Sequence, residues 1–488
     1  MADAGDLKSP AQKGRVGSNP TSATASHRIF IRIRSSLTLR LLETNMAKEK
    51  PKLVDVKKPN LYRQIFPYTE FPRVIFDNQS VDYDIPEHIW ITDTTFRDGQ
   101  QSRPPYTPEQ ILRVYELLNK IDGETGLIRQ CEFFLYSERD RKAVELCKSR
   151  GFRFPEITGW IRAMEADFKL VSQMGLKETG ILTSASDYHI FLKLRKTRAQ
   201  AMEGYLNIVK AALDSGVLPR CHFEDITRAD YEGFVLPFAA ELMELAEEYN
   251  KPVKIRLCDT LGFGLPWAGA ALPRSIPKLI HGLRQIGVPS EQLEWHGHND
   301  LHKVQVNAAT AWLYGCSAAN ASCFGIGERT GNPPLEALVV EHAQLKGQTS
   351  GINYAAITEL YEYASAELGF EIPHNYPLVG RDFNVTRAGI HADGLLKNEE
   401  IYNCFDTNKL LNRPVSVAIT DKTGAAGIKH WIEARYKIDI PKHHPTVTKI
   451  KDRIDAEYAA NRVSAISDEE MFEWVRQAFG DNLPPLRK

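Results

Sequence analysis

The chain lacks the marks of a membrane protein, a disulfide scaffold and a nucleic-acid binder. No apolar run in its 488 residues approaches the roughly 18 needed for a transmembrane helix. Its seven cysteines (Cys131, Cys147, Cys221, Cys258, Cys316, Cys323 and Cys404) form no CxxC pair. That excludes a zinc knuckle or a disulfide framework and predicts buried, reduced thiols in a cytoplasmic protein. Charge of one sign is also missing: 61 Lys and Arg meet 62 Asp and Glu, so no nucleic-acid or membrane partner is expected. Acids are nearly absent from residues 1–45, which are rich in Ser, Thr, Ala and Arg and have no secretory apolar core. A transit peptide is one reading of such a leader. With no sustained hydrophobic period, a disordered or artefactual extension is the expectation, the functional chain starting at Met46.

What is present is ordinary in bulk, 43% hydrophobic and 25% charged, and long enough for one large domain with a smaller appendage. From Ile89 onward, short β-branched or aromatic runs alternate with longer amphipathic stretches. The runs predict strands over 89–98, 128–136, 153–160, 176–184, 218–225, 252–259, 292–298 and 317–325, with helices such as 108–121, 190–214, 235–249 and 301–314 between them. Thr107, Pro108 and Gln110 form a helix-start signal, with an N-cap, a first-turn proline and a capping-box partner. Eight alternations predict an α/β fold of the TIM (β/α)8 type with a mostly helical C-terminal extension. A doubly wound sheet is the alternative, but its Gly-rich turn after the first strand is missing. The expected divisions are a leader over 1–45, an N-terminal extension over 46–85, the barrel over 86–346 and a helical subdomain over 347–488.

Barrel enzymes place chemistry where strands end. Those ends carry Arg97 and Asp98, Glu132, Arg162, the stretch from Ser184 to His189, Glu224 and Asp225, Asp259 and Thr260, His296 and His298, and a loop to Asn332. In a strand, residues two apart share a face, so His296 and His298 would point into one space and chelate a divalent ion with Asp98. A pair of satisfied core histidines is the bland alternative for an isolated HxH. Mixed N/O ligation with open positions suits a catalytic Mn²⁺ or Mg²⁺, with Co²⁺ or Zn²⁺ also compatible. Gly325 to Asn332 (G-I-G-E-R-T-G-N) reads either as a phosphate-cradling loop or as a plain βα turn. Asp225 with Arg228 is expected to be a structural pair, and the charge-rich helix from Thr446 to Asn461 a solvated face.

The segments D-T-T-F-R-D-G-Q-Q, C-E-F, S-A-S-D-Y-H, F-E-D-I-T-R, D-T-L-G-F-G-L-P, H-G-H-N-D-L and G-I-G-E-R-T-G-N follow one another in an order that resembles the DRE-TIM metallolyases. The resemblance covers about Pro86 to Tyr402 and is closest to the acyl-CoA-condensing branch of 2-isopropylmalate, homocitrate, citramalate and Re-type citrate synthases. It implies Asp98, His296 and His298 as metal ligands with Asn332 completing the site, and a catalytic Arg97 held by Glu132. It further implies that Thr260 binds the carboxylate of a 2-oxo acid. The segment R-A-G-I-H-A-D-G-L-L-K-N with Tyr402 resembles the one that supplies a catalytic His and Tyr, here His391 and Tyr402, often from the partner subunit of a homodimer. Acetyl-CoA and a 2-oxo acid are the substrates so implied. His391, Tyr402, Glu224 or a water could take the methyl proton. Gln101, Arg162 and His189 are further substrate-contact candidates, and Arg103 and Lys303 could meet a second carboxylate.

Departures from the family pattern narrow the substrate. Gly99-Gln100-Gln101 replaces G-E-Q, and H-N-D-L-H-K introduces His302 and Lys303. The R-P-P-Y-T and I-R-Q-C-E-F-F-L-Y variants resemble the Re-type citrate synthases, which favours oxaloacetate. The tail after Tyr402 shows no further α/β repeat, so the regulatory domain of isopropylmalate synthases is not expected. Isopropylmalate or homocitrate synthesis is the alternative. A hydroxyacyl-CoA lyase usually carries a Cys loop that is not found here, and a non-catalytic metal-binding homologue conflicts with the intact Arg and ligand positions.

Overall fold

The computed structural model describes residues 50–347 and 350–486, so the leader expected over 1–45 lies outside the described residues. Eight parallel strands close into a barrel in chain order: β1 (Trp90–Asp93), β2 (Ile128–Phe134), β3 (Glu156–Ile161), β4 (Glu178–Ser184), β5 (Leu218–Glu224), β6 (Lys254–Asp259), β7 (Leu293–Gly297) and β8 (Ala318–Ala321). The helices that cover it are α1 (Pro108–Asp122), α2 (Glu138–Lys148), α3 (Phe168–Gln173), α4 (Arg198–Asp214), α5 (Leu236–Glu248), α6 (Ile276–Gln285), α7 (Val304–Leu313) and α8 (Leu335–Lys346). The (β/α)8 expectation is met. So is the start of α1, where Thr107 Oγ1 accepts from Gln110 N at 3.1 Å and Gln110 Oε1 accepts from Thr107 N at 2.9 Å.

Strand alternation gives the barrel two unlike faces. Odd-numbered residues such as Ile91, Phe133, Phe223, Leu257 and Trp295 are buried in the main apolar core that includes residues of the covering helices. Even-numbered residues face the lumen, and several are charged: Glu132 on β2, Arg220 on β5, Arg256 on β6 and Glu294 on β7 are all buried. Arg256 reaches Glu132 at 3.0 Å although β6 and β2 are not neighbours, so the bond crosses the lumen. Most barrels fill this space with branched aliphatics; here it holds ion pairs.

The element boundaries that depart furthest from the sequence reading are three. The strand predicted over 89–98 stops at Asp93. Thr95 then turns the chain by donating its hydroxyl to Asp93 Oδ1 at 2.5 Å, and Arg97 N and Gly99 N both donate to Thr94 O. The helix predicted over 190–214 starts only at Arg198, after a π-helical turn over Tyr188–Lys193. The strand predicted over 317–325 ends at Ala321, where Gly325 turns with φ +70°.

Beyond the barrel, α9 (Ala355–Glu367) buries Ile357 and Leu360 in the same core, which runs on to Leu411. The division expected at residue 347 therefore does not coincide with a break in packing. There follow a two-stranded sheet of β9 (Val385–Thr386) and β10 (Ser416–Val417), α10 (Gly389–Lys397) and α11 (Thr407–Leu411). A separate core joins α12 (Ala425–Arg435), α13 (Pro445–Ala459) and α14 (Asp468–Phe479) through Trp431, Ile450 and Trp474. The charge-rich helix is α13, and it is not a wholly solvated face. Val447, Ile450 and Ile454, at helical spacing, are buried. Six of the seven cysteines are buried and unpaired, and Cys404 is exposed. Among the described residues no helix is long and apolar enough to cross a membrane.

The capping box is a separable contribution to barrel stability. Thr107→Ala should lower the free energy of unfolding by about 1 kcal/mol, measured as a drop in urea midpoint at unchanged denaturant slope.

Candidate metal centre

The turn after β1 is what brings Arg97 and Asp98 together. In a continued strand these neighbours would point to opposite faces. In the turn both are buried, and Arg97 Nη1 lies 2.9 Å from Asp98 Oδ2. Across the barrel mouth, His296 at the end of β7 and His298 just beyond it share a face as expected, their Nε2 atoms 3.2 Å apart. Asp98 Oδ2 lies 3.6 Å from His296 Nε2 and 3.8 Å from His298 Nε2. Asp98, His296 and His298 thus converge with ligand atoms within 4.8 Å of one another.

Two observations fit this cluster to a cation. Asn332 is buried and its Oδ1 has no hydrogen-bond partner, while its Nδ2 is held by Gly297 O at 3.2 Å. A buried acceptor left without a donor is costly unless a cation meets it. Gly327 leaves the necessary room, since a Cβ there would stand 2.0 Å from Asn332 Oδ1 and 3.0 Å from Asp98 Oδ1. The Gly-rich loop is therefore not a phosphate cradle: its Glu328 N donates to Asp98 Oδ1 at 3.0 Å and it carries Asn332 to the cluster. Protonation states agree. Burial, the neighbouring imidazole and Arg97 hold His296 below the usual imidazole range, and burial with Arg329 and Arg97 does the same to His298. Burial alone would raise the Asp98 carboxyl, but the Arg97 guanidinium and the Glu328 N–H bring it down. Two neutral imidazoles, one carboxylate and one amide oxygen suit Mn²⁺, Mg²⁺, Co²⁺ or Zn²⁺.

Arg97 is fixed from behind. Glu132 Oε2 accepts from its Nε at 2.7 Å, and the same carboxylate accepts from Arg220 Nη2 at 2.7 Å and from Arg256 Nη1 at 3.0 Å. Burial would raise the Glu132 carboxyl, yet Arg256, Arg97 and Arg220 hold it well below the usual range. Arg97 Nη2 is buried with no partner, a free donor beside the ligands. Arg220, Arg256, Glu294 and Asn320 were missed by the sequence reading. Their signal was there, a polar residue at alternate positions of otherwise apolar strands.

A second polar group lies where β4, β5 and β6 end. His189 Nδ1 is 2.9 Å from Glu224 Oε2, and Lys193 Nζ is 3.1 Å from both oxygens of Glu224. Burial would raise Glu224, but the His189 hydrogen bond and charge, the Ser184 hydroxyl and Lys193 bring it down to about 2. Thr260 Oγ1 accepts from Asp225 N at 2.8 Å. The Asp225–Arg228 pair forms at 2.9 Å, as expected.

Other candidates stand elsewhere. Arg162 donates Nε and Nη2 to Asp167 at 3.0 and 3.1 Å, and its side chain is 58% exposed. Arg103 donates to Leu368 O and stacks on Phe370 at 4.1 Å, so it ties the loop to the end of α9. Lys303 Nζ caps Leu301 O at 3.0 Å, and Gln101 is exposed. His391 and Tyr402 come together, ring centroids 4.5 Å apart, but on an exposed face of the C-terminal region.

With this geometry in hand, residues 88–363 match the HMGL-like family. The chain belongs to the HMGL-like family. The DRE-TIM resemblance read from the sequence is thereby met. This HMGL-like chain is 56% identical over 430 residues to a citrate (Re)-synthase of Syntrophus aciditrophicus, covering 87% of this chain and 68% of that one. It is 53% identical over 425 residues to a citrate (Re)-synthase of Clostridium kluyveri, covering 86% and 94%. A 2-phosphinomethylmalate synthase of Streptomyces hygroscopicus is 39% identical, with 87% and 97% covered.

The glycine test of the centre is direct. Gly327→Ala should leave a folded protein whose Mn²⁺ affinity, measured by isothermal titration calorimetry, falls at least about tenfold because the methyl displaces Asn332 and crowds Asp98. Unchanged affinity would remove Asn332 from the ligand set.

Proposed function

We propose that the protein joins the methyl carbon of acetyl-CoA to the ketone carbon of oxaloacetate and then hydrolyses the thioester, giving citrate and free CoA. The observation that carries this reading is the Asp98–His296–His298 cluster with the unpartnered Nη2 of Arg97 beside it. Similarity to two citrate (Re)-synthases over most of the chain supports oxaloacetate as the 2-oxo acid.

A divalent ion held by Asp98, His296, His298 and Asn332 supplies Lewis-acid polarisation of the ketone when bound. Arg97 then offers a fixed N–H where negative charge grows on oxygen, an effect often worth about 3 kcal/mol. Glu132 positions it, so little reorganisation is needed at the moment of reaction. Thr260 and His189, at the ends of β6 and β4, are assigned to the carboxylates of the oxo acid. Glu224, hydrogen-bonded to His189 at 2.9 Å, is assigned to orient it. Arg162 is left out, because it is paired with Asp167 and its side chain is mostly exposed. The exposed His391 and Tyr402 are assigned to acid–base work in the partner subunit of a homodimer. The buried free thiols suit the cytoplasm.

Purified protein with Mn²⁺ should release CoA thiol from acetyl-CoA fastest with oxaloacetate, compared with 2-oxoglutarate, 2-oxoisovalerate and pyruvate. Thiol release with none of the four sinks the synthase reading, and a different favourite replaces only the substrate.

Sharing of the site between subunits has its own test. Asp98→Ala and His391→Ala should each be nearly inactive, and mixing them with subunit exchange should restore up to about a quarter of wild-type activity, the statistical share of intact sites in mixed dimers. No recovery on mixing would place His391 in its own subunit's site or outside catalysis.

A further inference from the structure

A chain of hydrogen bonds and ion pairs runs through the barrel lumen from one metal ligand to another. From Asp98 it passes to Arg97 at 2.9 Å, to Glu132 at 2.7 Å and to Arg256 at 3.0 Å. Arg256 Nη2 donates to Glu294 Oε1 at 2.9 Å, and the Thr92 hydroxyl donates to the same oxygen. Asn320 Nδ2 donates to Thr92 Oγ1 at 2.9 Å and to Thr92 O at 3.1 Å. Asn320 Oδ1 faces His296 Nδ1 at 2.7 Å, and His296 Nε2 stands 3.6 Å from Asp98 Oδ2 with no hydrogen bond between them. Thr92, Glu132, Arg256, Glu294, His296 and Asn320 all occupy the lumen-facing alternate positions of their strands. Thr92 pairs with Asn320 across β1 and β8, and Arg256 with Glu294 across β6 and β7.

The direction of each bond on the His296 side is forced. The Thr92 carbonyl can only accept, so the Asn320 amide must turn its NH₂ toward it and its oxygen toward His296. An oxygen at 2.7 Å requires the imidazole proton on Nδ1, which leaves the lone pair on Nε2, the atom facing Asp98 and His298. Thr92 Oγ1 has its own proton committed to Glu294, so it can only accept from Asn320. The amide has no second orientation that satisfies its neighbours.

We infer that Asn320, anchored by Thr92 and Glu294, is a positioning residue that fixes His296 as an Nε2 metal ligand and links the metal centre through the lumen to the Glu132–Arg97 pair. This rests on the metal reading of the cluster. Ligand orientation and Arg97 orientation therefore share one scaffold, with Glu294 Oε1 as the junction.

Mn²⁺ alone is the probe, titrated into chelator-stripped full-length protein and read by electron paramagnetic resonance. Asn320→Leu, of similar size but without an acceptor, should raise the Mn²⁺ Kd about 10- to 100-fold. Asn320→Asp keeps an acceptor toward His296 Nδ1 but turns an oxygen toward the Thr92 carbonyl, so it should recover part of the loss and bind Mn²⁺ more tightly than Asn320→Leu. If circular dichroism shows the leucine variant unfolded, Thr92→Val removes one of the two anchors of the amide and should raise the Kd at least about threefold. A folded Asn320→Leu or Thr92→Val variant with the wild-type Kd overturns the inference, as does equal loss in the Asp and Leu variants. Failure of the metal reading looks different. In that case the wild type itself binds no Mn²⁺, or Asp98→Ala leaves its Kd unchanged.

Discussion

Everything at the mouth of this barrel depends on the carboxylate of Glu132. It is buried in the lumen, where an isolated anion would pay several kcal/mol of lost hydration. Three guanidinium groups from three places in the chain make it tolerable: Arg97 after β1, Arg220 from β5 and Arg256 from β6. Glu178 and Glu294 bring the neighbouring charges into balance by pairing with Arg220 and Arg256. A hydrophobic lumen of the same volume would be at least as stable, because buried ion pairs rarely outperform good apolar packing. The charged lumen provides instead a rigid base for Arg97, whose guanidinium would otherwise have many rotamers at an open strand end. Removing any one partner leaves a charge buried without compensation, so the network favours keeping all of its members together.

The barrel was legible because strand and helix periods differ so clearly. Runs such as R-C-H-F-E on β5 and L-E-W-H-G on β7 alternate with a period of two, and Thr107, Pro108 and Gln110 announce α1. The HxH pair was legible for the same reason, since residues two apart on a strand cannot avoid sharing a space. Arg220, Arg256 and Glu294 were not recognised, although the same alternation marks them. Each lies between apolar neighbours such as Cys221, Leu257 and Trp295, and nothing local says which distant strand supplies the counter-charge. That information is in the closure of the barrel, which sets Arg256 against Glu132 across the lumen.

Sequence shows charge and not partners, so the pairing of Arg103 and Arg162 is invisible in it. In the fold Arg162 is held by Asp167, and Arg103 lies on Phe370 with its donor on a backbone carbonyl. Likewise the first strand was drawn too long, since Thr94, Thr95 and Phe96 have strand-like side chains. Asp93 and Thr95 override that preference by bonding to each other, and the resulting turn is what allows Arg97 and Asp98 to sit on the same side. The segment brings Arg97 and Asp98 together as expected, although through a turn and not through the strand expected there.

The two oxygens of Asp98 explain why Arg97 needs an anchor elsewhere. Oδ1 takes the Glu328 N–H, whereas Oδ2 faces Arg97 Nη1 and both imidazole Nε2 atoms. Any cation drawn to the imidazoles therefore competes with Arg97 for the same oxygen. A guanidinium held by Asp98 alone would be loosened by that competition. The Nε bond to Glu132 lies on the other edge of the group and does not involve Asp98. It keeps Arg97 beside the centre whether Oδ2 is shared or not, and Arg220 and Arg256 keep Glu132 in place to do so. The distant guanidiniums on β5 and β6 thus act on the site through a carboxylate, at a place no ligand can reach.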